Sequence, residues 1–358
     1  MAEVAARAGV SVTTVSHVLS DVPGKRISHP TRQRVRDAAA ELGYVVNGIA
    51  RSLRSQETHA LAFVSDEVLT TPFAAAMVHG ALEAAAELGW MMILVNTGVD
   101  RAFEADQIRA LQERQIEGYL YVRMYNQEVS LPAGLPDHST VLVDAACSNP
   151  GIASVVPDEY SGGVTAAHVL LDHGHTRIGF INNLEDITAS RERLRGFQAA
   201  LAEAGLTMPD HYVVADRQSD AAGGLRAGRT LLDLPDRPEA IFCFNDRMAM
   251  GVYQAAHERG LDIPADLSVI GFDDQPMIAD GLFPGLTTLK LPHHEMGAWG
   301  VRTLIGRLQD ADQGSPTQIA MPCPLVTRGS VAAPATVRQE HKWRRPRRVP
   351  SSTSPAAP

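Results

Sequence analysis

The chain has 358 residues, of which 45% are hydrophobic and 20% are charged. This length fits a small module plus a two-lobed domain, and the hydrophobic content excludes general disorder. No run approaches the roughly 18 uninterrupted apolar residues of a membrane helix. The first residues lack the basic flank and apolar run of a secretory signal, so we expect a cytoplasmic protein with no membrane partner.

Positive charge is concentrated at the two ends of the chain. Residues 1–56 contain 8 Lys and Arg against 4 Asp and Glu, and residues 335–358 contain 6 against 1. The net charge of the whole chain is nevertheless −9, so the body between the ends is strongly acidic. Because binding to phosphate needs local positive charge, we expect only the N-terminal head to approach a polyanion. The basic tail should be disordered, and it fits a solubilising role as well as it fits auxiliary phosphate contacts.

The head has the pattern of three short helices. An alanine-rich helix over residues 3–8 is followed by a second over residues 12–19, for which Ser11 is a good N-cap. A third helix begins after the cap Ser28 and runs to Leu42, which completes its apolar stripe. Two helices joined by a tight turn that contains glycine are typical of a helix-turn-helix, whose second helix fits the major groove of DNA.

From about residue 60 the pattern changes to short apolar runs, which match buried parallel strands and alternate with amphipathic helical stretches. The runs of a first series are 61–64, 91–95, 118–122 and 141–143, and those of a second are 178–181, 240–244 and 268–272. Two such series predict an α/β domain with two doubly wound sheets. A ligand cleft should lie between the carboxyl ends of their strands.

Three segments of the head resemble the DNA-binding domain of the LacI/GalR repressors. They are EVAARAGVSVTTVSHVL at 3–19, ELGY at 41–44 and ARSLR at 50–54. The resemblance extends to about residue 334 and implies an all-α helix-turn-helix head plus an α/β, two-lobed, periplasmic-binding-protein-like domain. Members of the family have about three further residues before Glu3, so either the start codon is assigned late or the first helix is weakly anchored.

The resemblance also implies the domain boundaries. The helix-turn-helix domain covers 1–45, the hinge helix and linker 46–57, the effector-binding and dimerisation domain 58–334, and the disordered tail 335–358. Within the third of these, lobe 1 covers about 58–157 and 288–322, and lobe 2 covers about 158–287 and 323–334.

The second helix corresponds to the family's recognition helix. The resemblance implies base contacts from Val12, Thr13 and His17, and phosphate contacts from Ser11, Thr14 and Ser16. These residue types suit the roles, because a Val methyl can pack on a thymine methyl and Thr or His can bond base acceptors. The alternative for His17 is an ordinary exposed position on the helix.

Residues 47–54 resemble the family's hinge helix, which folds on DNA and inserts a leucine into the minor groove. The matched positions are Asn47, Ala50, Arg51, Leu53 and Arg54. Eight residues are too few for a helix that is stable alone, so its folding should be coupled to DNA binding. Leu53 would be the wedge, and its alternative role is that of a core residue.

Four residues of the body match the family's effector-binding positions. Arg193 lies in a matched segment at 188–197, Asn245 and Asp273 follow apolar runs, and Phe73 is either a core residue or part of the cleft floor. An arginine, an amide and a carboxylate together offer donors and acceptors for a hydroxyl-rich ligand such as a sugar.

Other residues are better explained without a ligand. Arg191 and Asp274 are expected to form loop salt bridges. Ala74 stands where the family often has an aromatic residue, which disfavours stacking on a purine-like ligand. The HxH at 173–175 lacks further metal ligands, and the three cysteines lack zinc or disulfide spacing, so neither a metal nor a cofactor is predicted.

These features predict a sequence-specific transcription regulator, a repressor controlled by a small metabolite. Because one recognition helix reads only a few base pairs, we expect a homodimer on a palindromic operator. In this family sugars usually release the operator and some nucleobases strengthen binding, and the residues do not distinguish these two responses.

Two other classes of protein are alternatives: a solute-binding receptor with the same two-lobed body, and an enzyme of the α/β class. A solute-binding receptor is disfavoured by the basic head and the missing secretory signal. An α/β enzyme, such as a sugar hydrolase, is disfavoured because no GxSxG or other catalytic constellation is recognisable. We therefore predict a protein that is not an enzyme.

Overall fold

A computed structural model describes residues 1–20, 24–44, 57–71, 74–309 and 318–334. The chain divides into two compact units, of which the first comprises Met1–His59 with Gln115–Glu117 and the second comprises the rest. Several predicted features lie outside the described residues: the hinge positions Asn47, Ala50, Arg51, Leu53 and Arg54, the effector candidate Phe73, and the tail at 335–358. None of the described helices is long and apolar enough to span a bilayer.

The head contains the three predicted helices, α1 (Ala2–Ala8), α2 (Val12–Leu19) and α3 (His29–Glu41). The cap at the start of α2 is the predicted one, because the Ser11 hydroxyl accepts a hydrogen bond from the Thr14 amide at 3.1 Å. This bond satisfies one of the amides that a helix N-terminus leaves unpaired.

One apolar cluster joins the three helices of the head. Its buried members are Val4, Ala5, Ala8, Val15, Val18, Val35, Ala38 and Ala39. Leu42 was wrongly predicted to complete this stripe, since α3 ends at Glu41 and Leu42 is 45% exposed. A surface ion pair between Arg7 and Glu41 also links α1 to α3.

The body alternates strands and helices as predicted. Its strands are β1 (Ala60–Ser65), β2 (Met91–Asn96), β3 (Gly118–Glu128), β4 (Thr140–Ala146), β5 (Ala153–Pro157), β6 (Ile178–Asn183), β7 (Val213–Asp216), β8 (Ala240–Cys243), β9 (Ser268–Asp273), β10 (Thr287–Lys290), β11 (Gln318–Met321) and β12 (Leu325–Val326). Its longer helices are α4 (Ala75–Glu87), α5 (Arg101–Glu113), α6 (Glu159–Asp172), α7 (Thr188–Glu203), α8 (Ala221–Leu232), α9 (Asp246–Glu258) and α10 (His293–Gln309).

The strands form two six-stranded sheets, which confirms the predicted fold class. The order is β11-β5-β4-β3-β1-β2 in lobe 1 and β12-β10-β9-β8-β6-β7 in lobe 2. All the described pairings are parallel except that between β10 and β12, which is antiparallel. Helices cover both sheets and bury three apolar clusters, one in lobe 1 and two in lobe 2.

Two details differ from the sequence-based expectations. Strand β2 was expected to be buried, yet it is an edge strand of its sheet, and Met91 is 60% exposed and Leu94 38% exposed. The chain was predicted to return from lobe 2 to lobe 1 between residues 287 and 288. Strand β10 instead pairs with β9 of lobe 2 through Lys290, so the chain leaves lobe 2 only after that residue. Short strands without a clear apolar run do not reveal such boundaries.

Candidate functional site

Helix α2 presents a buried and an exposed face. Val15 and Val18 are at most 1% exposed, whereas Val12 is 47% exposed and Thr13 is also exposed. An apolar side chain at an exposed helix position is available to pack against the methyl group of a base. The structure thus places two of the three predicted base-contacting residues at the free N-terminal turn of α2.

The other matched residues of α2 surround that turn. Ser11 is exposed, and its hydroxyl lies 2.9 Å from that of Thr14, so the two side chains share a hydrogen bond. Thr14, Ser16 and His17 are half-buried. The exposed Lys and Arg residues described in the head are Arg7, which pairs with Glu41, and Lys25, Arg26, Arg34 and Arg36. Positive charge and helix N-terminal amides both favour phosphate binding.

In the body, charged residues converge between the two lobes. A narrow cavity of about 10 Å³ is lined by Asp144, Glu159, Arg193 and Asp273, together with Phe244 and His293. Asp144 lies near the end of β4 in lobe 1, and Asp273 ends β9 in lobe 2. The carboxyl ends of parallel strands therefore meet at this cleft, where ligands of doubly wound folds bind.

Arg193 is the most constrained of these residues. Its Nε donates to Glu159 Oε2 at 2.6 Å, its Nη2 donates to Glu159 Oε1 at 3.2 Å, and both side chains are at most 3% exposed. Its Nη1 donates to the Phe244 carbonyl oxygen at 2.5 Å, and the guanidinium lies 3.7 Å from the centre of the Phe272 ring. Such a paired, bidentate guanidinium is fixed in orientation.

A close approach of two helices brings this pair together. A Cβ atom on Gly163 of α6 would lie 2.2 Å from the backbone oxygen of Arg193 on α7. A Cβ on Gly196 would likewise lie 2.1 Å from the backbone oxygen of Tyr160. The two glycines therefore permit the contact that places Glu159 against Arg193. Glu159 was not predicted, because its only local signal is its position at the start of a helix.

Asp144 was also not predicted. Its side chain is buried, its backbone φ is 54°, and its Oδ1 has no hydrogen-bond partner among the described residues. Burial, followed by the nearby Glu159, raises the pKa of the Asp144 carboxyl well above its usual range. A buried polar atom without a partner is costly, and a ligand hydroxyl in the cleft would satisfy it.

Asp273 is the second carboxyl of the cleft, and its Oδ1 lies 3.7 Å from Arg193 Nη1. Its Oδ2 accepts a hydrogen bond from Gln275 Nε2 at 2.6 Å. Burial raises the pKa of Asp273 to about 6, although Arg193 and Gln275 act in the opposite direction. Behind it, Asp246 is fully buried and accepts a hydrogen bond from Thr288 at 2.6 Å.

Asn245 does not line the cavity. Its Oδ1 caps α9 by accepting from the Met248 amide at 2.9 Å, and its Nδ2 donates to the Ser219 carbonyl at 3.1 Å. Both polar atoms of the Asn245 side chain thus already form hydrogen bonds within the protein.

Arg191 and Asp274 form the expected salt bridges, although Arg191 lies within α7 and not in a loop. Arg191 pairs with Asp186 at 2.5 Å, and Asp274 pairs with Arg328 at 2.7 Å.

The raised pKa of Asp273 predicts a pH dependence of stability. Between an unfolded pKa of about 3.9 and the folded value of about 6, the folded state retains a proton that the unfolded state has lost. The free energy of unfolding should therefore fall as the pH rises through this window. Urea unfolding at several pH values should show a weaker dependence in Asp273→Asn. Asp274→Asn is the control, and an unchanged dependence in Asp273→Asn would contradict the assignment.

A helix-turn-helix followed by two doubly wound lobes around a polar cleft defines a DNA-binding regulator with an effector domain. The family model described as bacterial regulatory proteins, lacI family, matches residues 1–47, and that described as periplasmic binding protein-like domain matches residues 167–331. The chain belongs to the LacI family and is a DNA-binding transcription regulator.

Individual relatives agree with this assignment over nearly the whole chain. The chain is 35% identical to the ribose operon repressor of Escherichia coli (strain K12), over 86% of this chain and 92% of that protein. It is 34% identical to the HTH-type transcriptional regulator DegA of Bacillus subtilis (strain 168), over 92% and 97%. It also resembles the solved structure of the transcriptional regulator CelR-cellobiose complex, with a TM-score of 0.67, 28% identity, and coverage of 92% and 98%.

Proposed function

We propose that the protein is a cytoplasmic, homodimeric repressor that releases or binds its operator in response to a sugar. The observation that carries the choice of ligand is the buried cleft, in which Asp144 and Asp273 offer carboxyl oxygens beside a fixed arginine. Hydroxyl-rich ligands supply the donors that such oxygens need. The names of two relatives, a ribose operon repressor and a regulator in complex with cellobiose, also support a sugar.

In this proposal the head reads DNA through the N-terminal part of α2. Val12, Thr13 and His17 contact base edges, and Ser11, Thr14 and Ser16 contact phosphates. The support is the exposure of Val12 and Thr13 together with the well-formed cap at Ser11. The proposed hinge contacts at 47–54 would add minor-groove binding.

In the cleft, Asp273 and Asp144 are proposed to bond ligand hydroxyls directly. Arg193 would contribute the edge of its guanidinium that Glu159 and Phe244 leave free, with Asp273 3.7 Å away. Asn245 would act by holding the start of α9, since its amide is already bonded within the protein. The matched position Phe73 remains a proposed contact, and binding would proceed without turnover of the sugar.

A homodimer is supported by apolar side chains that the described surface exposes. Met277 is 83% exposed and Phe283 is 97% exposed in lobe 2, and Met91 is 60% exposed on an edge strand of lobe 1. Association of two chains would remove such side chains from water, which favours a dimer. Closure of the cleft around a ligand would then change the relative orientation of the two lobes. In a dimer this change would alter the affinity for a palindromic operator.

The proposal is tested by titrating full-length protein with duplexes selected from a random pool. We expect the best palindromic duplex to bind at least about 10³-fold more tightly than random competitor at moderate salt. A sugar identified by thermal shift should change that affinity by about 5–150-fold, without being chemically altered. Equal affinity for selected and random duplexes would overturn the DNA-binding role, and enzyme-like turnover of the sugar would overturn the sensor role.

A further inference from the structure

Three side chains with metal-binding atoms meet on the outer surface of lobe 1. They are His79 and Glu83 on α4 and His294 at the start of α10. One ligand atom from each lies within 4.8 Å of the others. We propose that these residues form a binding site for a divalent transition metal, with zinc as the best fit. None of the three residues lines the effector cleft, and metal binding by them does not depend on the function proposed above.

Residue spacing on α4 and the close packing of α4 against α10 explain how the three side chains meet. His79 and Glu83 are four residues apart, which places both side chains on the same face of α4. The helices α4 and α10 approach so closely that a Cβ on Gly80 would lie 2.0 Å from the backbone oxygen of His294. A Cβ on Gly297 would likewise lie 2.0 Å from the backbone oxygen of Met77. This glycine contact holds His294 directly over the His79 face of α4.

The side chains are already arranged around a common point. Glu83 Oε2 lies 2.8 Å from His294 Nε2, and Glu83 Oε1 lies 3.5 Å from His79 Nε2. Ligands bound to zinc at about 2.0–2.2 Å lie roughly 3.3–3.6 Å from one another in a tetrahedron. Small rotations of the side chains would therefore suffice, and side-chain exposures of 67% for His79, 51% for Glu83 and 43% for His294 leave room for them.

The chemistry of the donor set favours zinc over calcium or magnesium. Two imidazole nitrogens and one carboxylate suit Zn²⁺, Ni²⁺ or Cu²⁺, whereas Ca²⁺ and Mg²⁺ prefer a shell of oxygens. Three protein ligands on an exposed surface leave a fourth position for water. The next acidic residue along α4, Glu87, is instead paired with Arg302 at 2.9 Å, so it is not available to the same ion.

The test is titration of metal-free, full-length protein with Zn²⁺ by calorimetry, and with Co²⁺ by visible absorption, in the absence of DNA and sugar. We expect one site per chain that gives the spectrum of four-coordinate Co²⁺. Because loss of even an outer-shell partner weakens metal binding by about 10–100-fold, His294→Ala and Glu83→Gln should each weaken it at least tenfold.

Matched controls separate this site from adventitious binding to the 13 histidines of the chain. Glu87→Gln changes a carboxylate one turn further along the same helix, and His211→Ala removes an exposed histidine that lies 3.9 Å from Asp236 in lobe 2. Both variants should bind as the unmodified protein does. Equal affinities in all four variants, or a spectrum of six-coordinate Co²⁺ that His294→Ala leaves unchanged, would overturn the proposal and leave a hydrogen-bonded bridge between two helices.

Discussion

Replacement of Arg193 by alanine should lower the free energy of unfolding by about 3–5 kcal/mol and abolish the response to effector. The stability loss follows because Glu159 would stay buried, at 2% side-chain exposure, without the guanidinium that now donates two hydrogen bonds to it. The functional loss follows because the arginine lies beside Asp273 in the cleft. Urea unfolding measures the first effect, and calorimetry with the effector measures the second.

A partner substitution distinguishes loss of the charge pair from loss of a ligand contact. In Arg193→Met with Glu159→Gln, the uncompensated carboxylate is gone, so most of the lost stability should return. The effector affinity should not return, because the double variant still lacks the guanidinium. If the double variant binds effector as the unmodified protein does, Arg193 has only a structural role. If Arg193→Ala alone costs less than about 1 kcal/mol, the pair is not the buried unit that the structure describes.

The behaviour of Arg193 illustrates what could be predicted from the sequence. Arg193 and Asp273 lie in local segments that match a known pattern, so their proximity to the cleft was predicted without coordinates. The partner Glu159 is 34 residues from Arg193, and the two meet only because Gly163 and Gly196 let their helices touch. Contacts of that kind depend on tertiary packing, which no local pattern encodes.

Asp144 was missed for a related reason. It follows an apolar run that correctly predicted a strand, but its buried, unpaired oxygen and its positive φ are properties of the folded lobe. The opposite error occurred at β2, where an apolar run predicted burial and the sheet order placed it at an edge. Apolar patterning identifies strands well, but the position of a strand within its sheet is decided by the rest of the chain.

On the head, Thr13→Ala and Thr14→Ala should weaken DNA binding in different ways although the residues are adjacent. Thr13 is exposed at the N-terminal turn of α2, so its loss should remove about 1–3 kcal/mol of discrimination at one base pair of each half-site. Thr14 is half-buried beside the cap, where its hydroxyl lies 2.9 Å from that of Ser11. Its loss should weaken binding to every duplex by a similar factor, because phosphate contacts carry no sequence information.

The comparison is informative because both variants should keep the helix. The hydrogen bond that caps α2 runs from the backbone amide of residue 14 to the Ser11 hydroxyl, so neither alanine removes it. Ser11→Ala removes the capping bond itself, so it should destabilise the head by about 1 kcal/mol in addition to removing the phosphate contact proposed for Ser11. Mobility shifts on a set of operators that differ at single base pairs provide the measurement. A uniform loss in Thr13→Ala, or a loss confined to one base pair in Thr14→Ala, would mean that α2 enters the groove in another orientation.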